Sequence, residues 1–168
     1  HAVVKGDAEL AHSINCGLYL AVGKGELRLV LTDPNVQPSM DYHYLEEPWD
    51  RKRLREAISK CVTLVEAGAC GEIVNQRTAP TDADLSSDES LDEWMLRTVS
   101  TSFHISGTCK MGVAGDSMAV VDQYLNVRGV QGLRIADASV MPDVVRANTN
   151  VTTMMIAERA AEFIRDGR

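Results

Sequence analysis

The chain has 168 residues, 45% hydrophobic and 5% aromatic, which is enough to bury the core of one ordinary domain. Its net charge of -7, with both signs mixed along the chain and no basic stripe, excludes a nucleic-acid partner held by electrostatics. No apolar run approaches the roughly 20 residues that a membrane-spanning helix needs, and no signal-peptide pattern is present, so a cytoplasmic protein is expected.

Cys16, Cys61, Cys70 and Cys109 lack paired C-x-x-C spacing, which predicts reduced thiols rather than a zinc site or a disulfide framework. His1, His12, His43 and His104 form neither H-x-x-x-H nor H-E-x-x-H, and no metal is expected. Because residue 1 is histidine and the pattern starts midway, the chain is expected to be a fragment, a processed product or an excised domain.

In chain order, residues 17–22 and 26–31 flank Gly23-Lys24-Gly25 and predict a hairpin, with Leu27, Leu29 and Leu31 on one face and Arg28 on the other. Asp33-Pro34-Asn35 closes the second strand. Leu54, Ile58, Cys61, Val62 and Val65 keep one helical face apolar, with Pro48 in the first turn and Gly68 as the stop. Residues 78–90 read as an acidic surface loop, and Ser86 with Glu89 predicts a capping box opening a helix through Leu91, Trp94, Met95, Thr98 and Val99. Beyond it, residues 119–121 and 133–136 predict short strands, separated by turn residues Asn126, Gly129 and Gly132. A last helix over about Val151 to Arg165 is apolar around most of its girth, with Glu158, Arg159, Glu162, Arg165 and Asp166 as its polar stripe, and is expected to pack on more than one side.

Chemistry concentrates in two irregular runs. In the first, His104 sits among glycine, hydroxyl and thiol side chains, where an imidazole serves as acid or base at neutral pH. The glycines at 107 and 112 are followed by Val113 and Ala114, not by the lysine and hydroxyl of a phosphate loop. Cys109 near His104 has no orienting third group, and Ser139 lacks the G-x-S-x-G elbow, so neither predicts a nucleophile. In the second run, Asn148-Thr149-Asn150 opens the last helix. Those residues suit helix capping, and the same helix start also offers N–H groups and a positive dipole end to an anionic group.

The runs Phe103-His104-Ile105-Ser106-Gly107-Thr108-Cys109-Lys110-Met111-Gly112, Leu133-Arg134-Ile135-Ala136-Asp137-Ala138-Ser139-Val140-Met141-Pro142 and Asn148-Thr149-Asn150 together resemble the C-terminal region of the glucose-methanol-choline (GMC) oxidoreductases, in the choline-dehydrogenase-like branch. The resemblance implies an α+β fold, a mostly antiparallel sheet covered by helices. Residues 1–132 would be a substrate-domain portion, and residues 133–168 would hold the C-terminal strand and helix that pack on an FAD-binding half. It implies FAD as cofactor, a small alcohol as substrate, and catalysis by His104 as proton acceptor and Asn148 as a hydrogen-bond donor to the substrate oxygen. Asp137 and Ala138 match positions at the FAD phosphate and ribityl chain, and Thr149 and Asn150 match positions beside its pyrimidine ring. Ile105 stands where the family often has proline, which puts the stiffness of the His104 loop in question. No G-x-G-x-x-G follows a strand, so the dinucleotide-binding half is expected to be missing, and the chain alone to be inactive and to hold FAD poorly. Two alternatives remain open: a hydroxynitrile-lyase-type protein of the same fold, and a non-catalytic folding or interaction module.

Overall fold

The computed structural model describes residues 13–72 and 74–168, so His1 and His12 lie outside the described residues. The chain divides into two compact units, the first ending at Ser102 and the second running from Phe103 to Arg168.

The first unit is built on two helices. Helix α1, Pro48–Val65, starts where the sequence places it: Pro48 occupies the first turn, and the Glu47 side chain accepts the Trp49 N–H. It ends at Glu66, just before a turn of 3-10 helix at Gly68–Cys70. Helix α2, Asp88–Thr98, is capped by Ser87 rather than Ser86, with Ser87 Oγ accepting the Ser90 N–H at 3.1 Å. Ser86 instead donates to the Ala83 carbonyl at 2.7 Å, because the acidic loop before it is a helical turn in its own right. There the Asp84 carboxylate accepts the N–H and hydroxyl of Thr81 at 2.8 and 2.6 Å. Leu54 and Ile58 of α1 pack with Leu91, Trp94 and Met95 of α2 into one buried cluster. Burying each such side chain stabilises by about 1.5–3 kcal/mol, so this cluster dominates the unit. Arg55 ties the helices at the rim, 2.7 Å from Asp92 and 3.2 Å from Asp88.

The expected hairpin does not form. Strand β1, Glu26–Arg28, pairs antiparallel with β2, Ser39–Asp41, placing Leu27 opposite Met40. Residues 19–23 are unavailable as its partner because α1 side chains take their backbone groups. The buried Asp50 carboxylate accepts Val22 N–H at 2.9 Å and Gly23 N–H at 2.8 Å, and Arg53 donates to the Tyr19 and Leu20 carbonyls at 2.7 and 3.0 Å. Leu20 also adopts φ 52°, which no strand accommodates. Leu27, Leu29 and Leu31 are all exposed instead of facing a covered side. The Asp33 turn forms as expected, with Val36 N–H on the Asp33 carbonyl at 3.1 Å. The sheet is antiparallel, but among the described residues it has only these two strands.

In the second unit, the expected strands reduce to isolated bridges, Met111 with Val121, Val121 with Val127, and Asn126 with Arg134. They surround a core of Val121, Leu125, Val140 and Met141, against which helix α3, Thr149–Arg165, lays Ile156 and Ala160. Phe163 meets Tyr124 edge-on with ring centroids 5.3 Å apart. Helix α3 begins two residues earlier than its apolar pattern suggests. Its other apolar side chains, Val151, Met154, Met155 and Ile164, are exposed.

Candidate active site

All the residues singled out for chemistry fall in the second unit. His104 is half-buried, and its Nδ1 lies 3.1 Å from Thr149 Oγ1 in the first turn of α3. Thr149 is buried at 7% exposure, and its carbonyl accepts the Thr153 hydroxyl at 2.9 Å. The imidazole is therefore oriented by a hydroxyl that the helix itself holds. In the tautomer whose Nδ1–H donates to Oγ1, Nε2 is the ring atom that takes a proton.

The segment carrying His104 is laid along the 3-10 turn Ala138–Val140. Gly107 N–H donates to the Ala138 carbonyl at 3.3 Å, Cys109 N–H to Ser139 at 2.9 Å, and Met111 N–H to Val140 at 2.9 Å. These three bonds hold the loop without a proline at position 105. Gly107 has φ 84°, a left-handed conformation that glycine adopts without penalty. Phe103, directly before the histidine, adopts φ 65° and is 86% exposed. A bulky residue in that region costs roughly 1–2 kcal/mol, and strain of this kind concentrates at functional sites.

Asp137 caps the 3-10 turn: its Oδ1 accepts Ser139 N–H at 2.8 Å. Its carboxylate is thus engaged with its own backbone, and Ala138 is joined to the His104 loop through its carbonyl. Asn148 and Asn150 are both exposed at the start of α3. Asn148 occupies the capping position without making a side-chain cap. The first-turn N–H groups of a helix have no carbonyl partner within it, so this end is open to an electron-rich or anionic acceptor.

The three motifs named from the sequence therefore meet in one unit, the histidine loop, the Ala138 turn and the α3 start. What the sequence reading missed is the direct contact to His104: it comes from Thr149, a residue expected beside a cofactor ring, 45 positions away. No spacing rule connects residues so far apart, and only the shared run Asn148-Thr149-Asn150 hinted that the neighbourhood mattered. Among the described residues, no three His, Cys, Asp or Glu side chains cluster as metal ligands. No described helix is long and apolar enough to cross a membrane.

A family model described as GMC oxidoreductase matches residues 21–157. Among curated proteins, the oxygen-dependent choline dehydrogenase 1 of Chromohalobacter salexigens is 36% identical over 149 residues, 89% of this chain and 26% of that protein. The oxygen-dependent choline dehydrogenase of Cronobacter sakazakii is 36% identical over 157 residues, 92% of this chain and 28% of that protein. The chain thus spans about a quarter of the length of the curated relatives it matches. Among solved structures, pyridoxine 4-oxidase from Mesorbium loti superimposes with a TM-score of 0.79 at 27% identity, covering 86% of this chain and 28% of that one. A fungal aryl-alcohol oxidase gives 0.73 at 33% identity, covering 83% of this chain and 23% of that one.

Proposed function

Since this chain belongs to the GMC oxidoreductase family, we propose that it forms the C-terminal, catalytic-base portion of an FAD-dependent enzyme that oxidises a small alcohol, with choline-like alcohols the first class to test. The observation that carries the reading is the fastening of His104 to the first turn of α3 through Thr149, 3.1 Å away. Relatives named as choline dehydrogenases and aryl-alcohol oxidase support an alcohol as substrate.

The chemistry at the start of α3 fits FAD. Its first-turn N–H groups and the exposed amides of Asn148 and Asn150 supply hydrogen-bond donors to a ring edge rich in carbonyl oxygens, and the helix dipole favours negative charge there. Asn150 and the first-turn N–H groups would hold that edge, and the Asp137–Ala138 backbone would border the chain that carries the phosphates. When bound, FAD supplies the acceptor for a hydride leaving the alcohol carbon. His104 Nε2 takes the hydroxyl proton, turning the alcohol oxygen into the better electron donor. Asn148 donates a hydrogen bond to that oxygen and holds it as charge develops. Thr149 keeps the imidazole plane and tautomer fixed while Nε2 gains its proton.

On the same reading, residues 1–132 belong to the substrate-binding domain and residues 133–168 pack on the FAD-binding half, which Val151, Met154, Met155 and Ile164 would meet. Flavin absorbance and anaerobic flavin reduction, measured on the protein that contains this chain and on the chain alone, test the reading. Flavin bleaching by an alcohol in the longer protein and negligible FAD binding by the chain alone are expected. Cyanohydrin cleavage without flavin reduction would replace it with the lyase reading.

A further inference from the structure

The loop that carries His104 hangs on successive carbonyls of one short turn. Gly107, Cys109 and Met111 donate in order to Ala138, Ser139 and Val140. In a 3-10 turn the carbonyls point along the turn axis, so successive ones can serve one neighbouring segment. Were the turn to unwind into extended chain, the Ser139 carbonyl would point away from its neighbours and the register with the loop would be lost. The backbone bonds within the turn are long: Val140 N–H to the Asp137 carbonyl and Met141 N–H to the Ala138 carbonyl are both 3.3 Å. The Ala138 carbonyl also serves Gly107, again at 3.3 Å. The bond from Ser139 N–H to Asp137 Oδ1 is shorter, at 2.8 Å, and Ser139 is the residue whose carbonyl takes Cys109.

We propose that Asp137 is a positioning residue for His104: its carboxylate closes the Ala138–Val140 turn and thereby sets the loop in which the imidazole faces Thr149. The proposal rests on the reading of His104 as the base, and it gives the Asp137 side chain to the turn while leaving the backbone of 137 and 138 to border the cofactor. Two supports then hold the ring. One is the hydroxyl of Thr149, 3.1 Å from Nδ1 in the first turn of α3. The other is the capped turn, whose place beside α3 is fixed by Val140 and Met141 packing with Ile156 and Ala160. Packing fixes where the turn sits, but the cap fixes which way its carbonyls point. The loop needs that second support because it enters with Phe103 at φ 65°, a strained backbone that relaxes once the bonds downstream loosen. What the turn asks of residue 137 is an oxygen acceptor at Ser139 N–H rather than a negative charge, so asparagine can stand in for the carboxylate and alanine cannot.

The test compares Asp137→Ala with Asp137→Asn in the FAD-loaded protein that contains this chain, by amide hydrogen exchange and by anaerobic flavin reduction. In Asp137→Ala, exchange at Gly107, Cys109 and Met111 should quicken by roughly 2- to 30-fold, the loss expected for a missing cap. Exchange at Ile156 and Ala160 of α3 should hold, which separates a loosened loop from an unfolded protein. The limiting rate of flavin reduction should fall in Asp137→Ala while the half-saturating alcohol concentration stays put, and Asp137→Asn should recover most of the loss in both exchange and rate. Unchanged exchange at the three loop amides in Asp137→Ala overturns the proposal, and so does quickened exchange with flavin reduction unimpaired. Equal losses in the two variants, accompanied by reduced FAD content, would assign the carboxylate's charge to the cofactor and overturn it as well. Failure of any alcohol to bleach the flavin of the unsubstituted protein would refute the reading of His104 as base, a result distinct from the exchange pattern that decides whether Asp137 sets the loop.

Discussion

Replacing Thr149 with valine removes one oxygen from the site and little else, because valine keeps the β-branched shape in the same buried position. The oxygen is the one 3.1 Å from His104 Nδ1, the contact that orients the imidazole. A neutral, partly buried hydrogen bond of this kind is worth about 0.5–1.5 kcal/mol net, which corresponds to a loss of roughly 2- to 13-fold in the rate of the step it supports. The assay is anaerobic stopped-flow flavin reduction by the alcohol in the FAD-loaded protein. Thr149→Val should slow flavin reduction within that range, and Thr149→Ser, which restores the hydroxyl, should recover the rate. His104→Ala should cost far more, on the order of 100- to 10,000-fold, since it removes the proposed base. Unchanged flavin reduction in Thr149→Val, with His104→Ala impaired as expected, would refute the positioning role. A loss in Thr149→Val that Thr149→Ser fails to recover would point to packing rather than orientation.

Three further outcomes follow from the geometry. Asp50→Ala strips the carboxylate from two N–H groups and from Arg53; losing charge-assisted bonds at a buried position costs about 3 kcal/mol, so amide exchange at Val22 and Gly23 should quicken on the order of 100-fold. In Gly25→Ala the new Cβ would lie 2.2 Å from the Asp41 carbonyl oxygen and 2.8 Å from Tyr42 Cα, so protection of the β1–β2 amides should fall, and unaltered protection would show that the strands shift freely. At Asp122, burial pushes the carboxyl up, but bonds from Asn126 and Tyr124 outweigh it and hold the group below its ordinary value. Its contribution is therefore complete above the unfolded value near ~3.9 and is lost as pH falls through the lower folded value. Stability measured by denaturant titration should drop across that acid window, and the drop should be shallower in Asp122→Ala.

The helices were legible because their signals are local. Leu54 and Ile58 four apart, Pro48 at the entry and Gly68 beyond the exit mark α1 with a period that tertiary structure had no reason to override. The cap of α2 was misplaced by one residue because Ser86 and Ser87 carry equal propensity, and the preceding turn around Thr81 and Asp84 decided which hydroxyl was occupied elsewhere. The hairpin was misread because turn residues between two apolar runs say nothing about a helix still to come. Asp50 and Arg53 claim the backbone of residues 19–23, and β1 pairs further along the chain.

The same division runs through the candidate site. The family was legible from the sequence through its resemblance to GMC oxidoreductases, and that resemblance is what proposed His104, Asp137, Ala138 and the Asn148-Thr149-Asn150 run as site residues, because each motif is contiguous. Only the folded unit decided that Thr149 is the group facing His104 Nδ1 and that the histidine loop lies on the Ala138–Val140 turn. Such pairings join residues some 30 to 45 positions apart, and at that separation neither helical nor strand periodicity carries information. They are set by which backbone groups and apolar faces remain to be satisfied once the helices have formed.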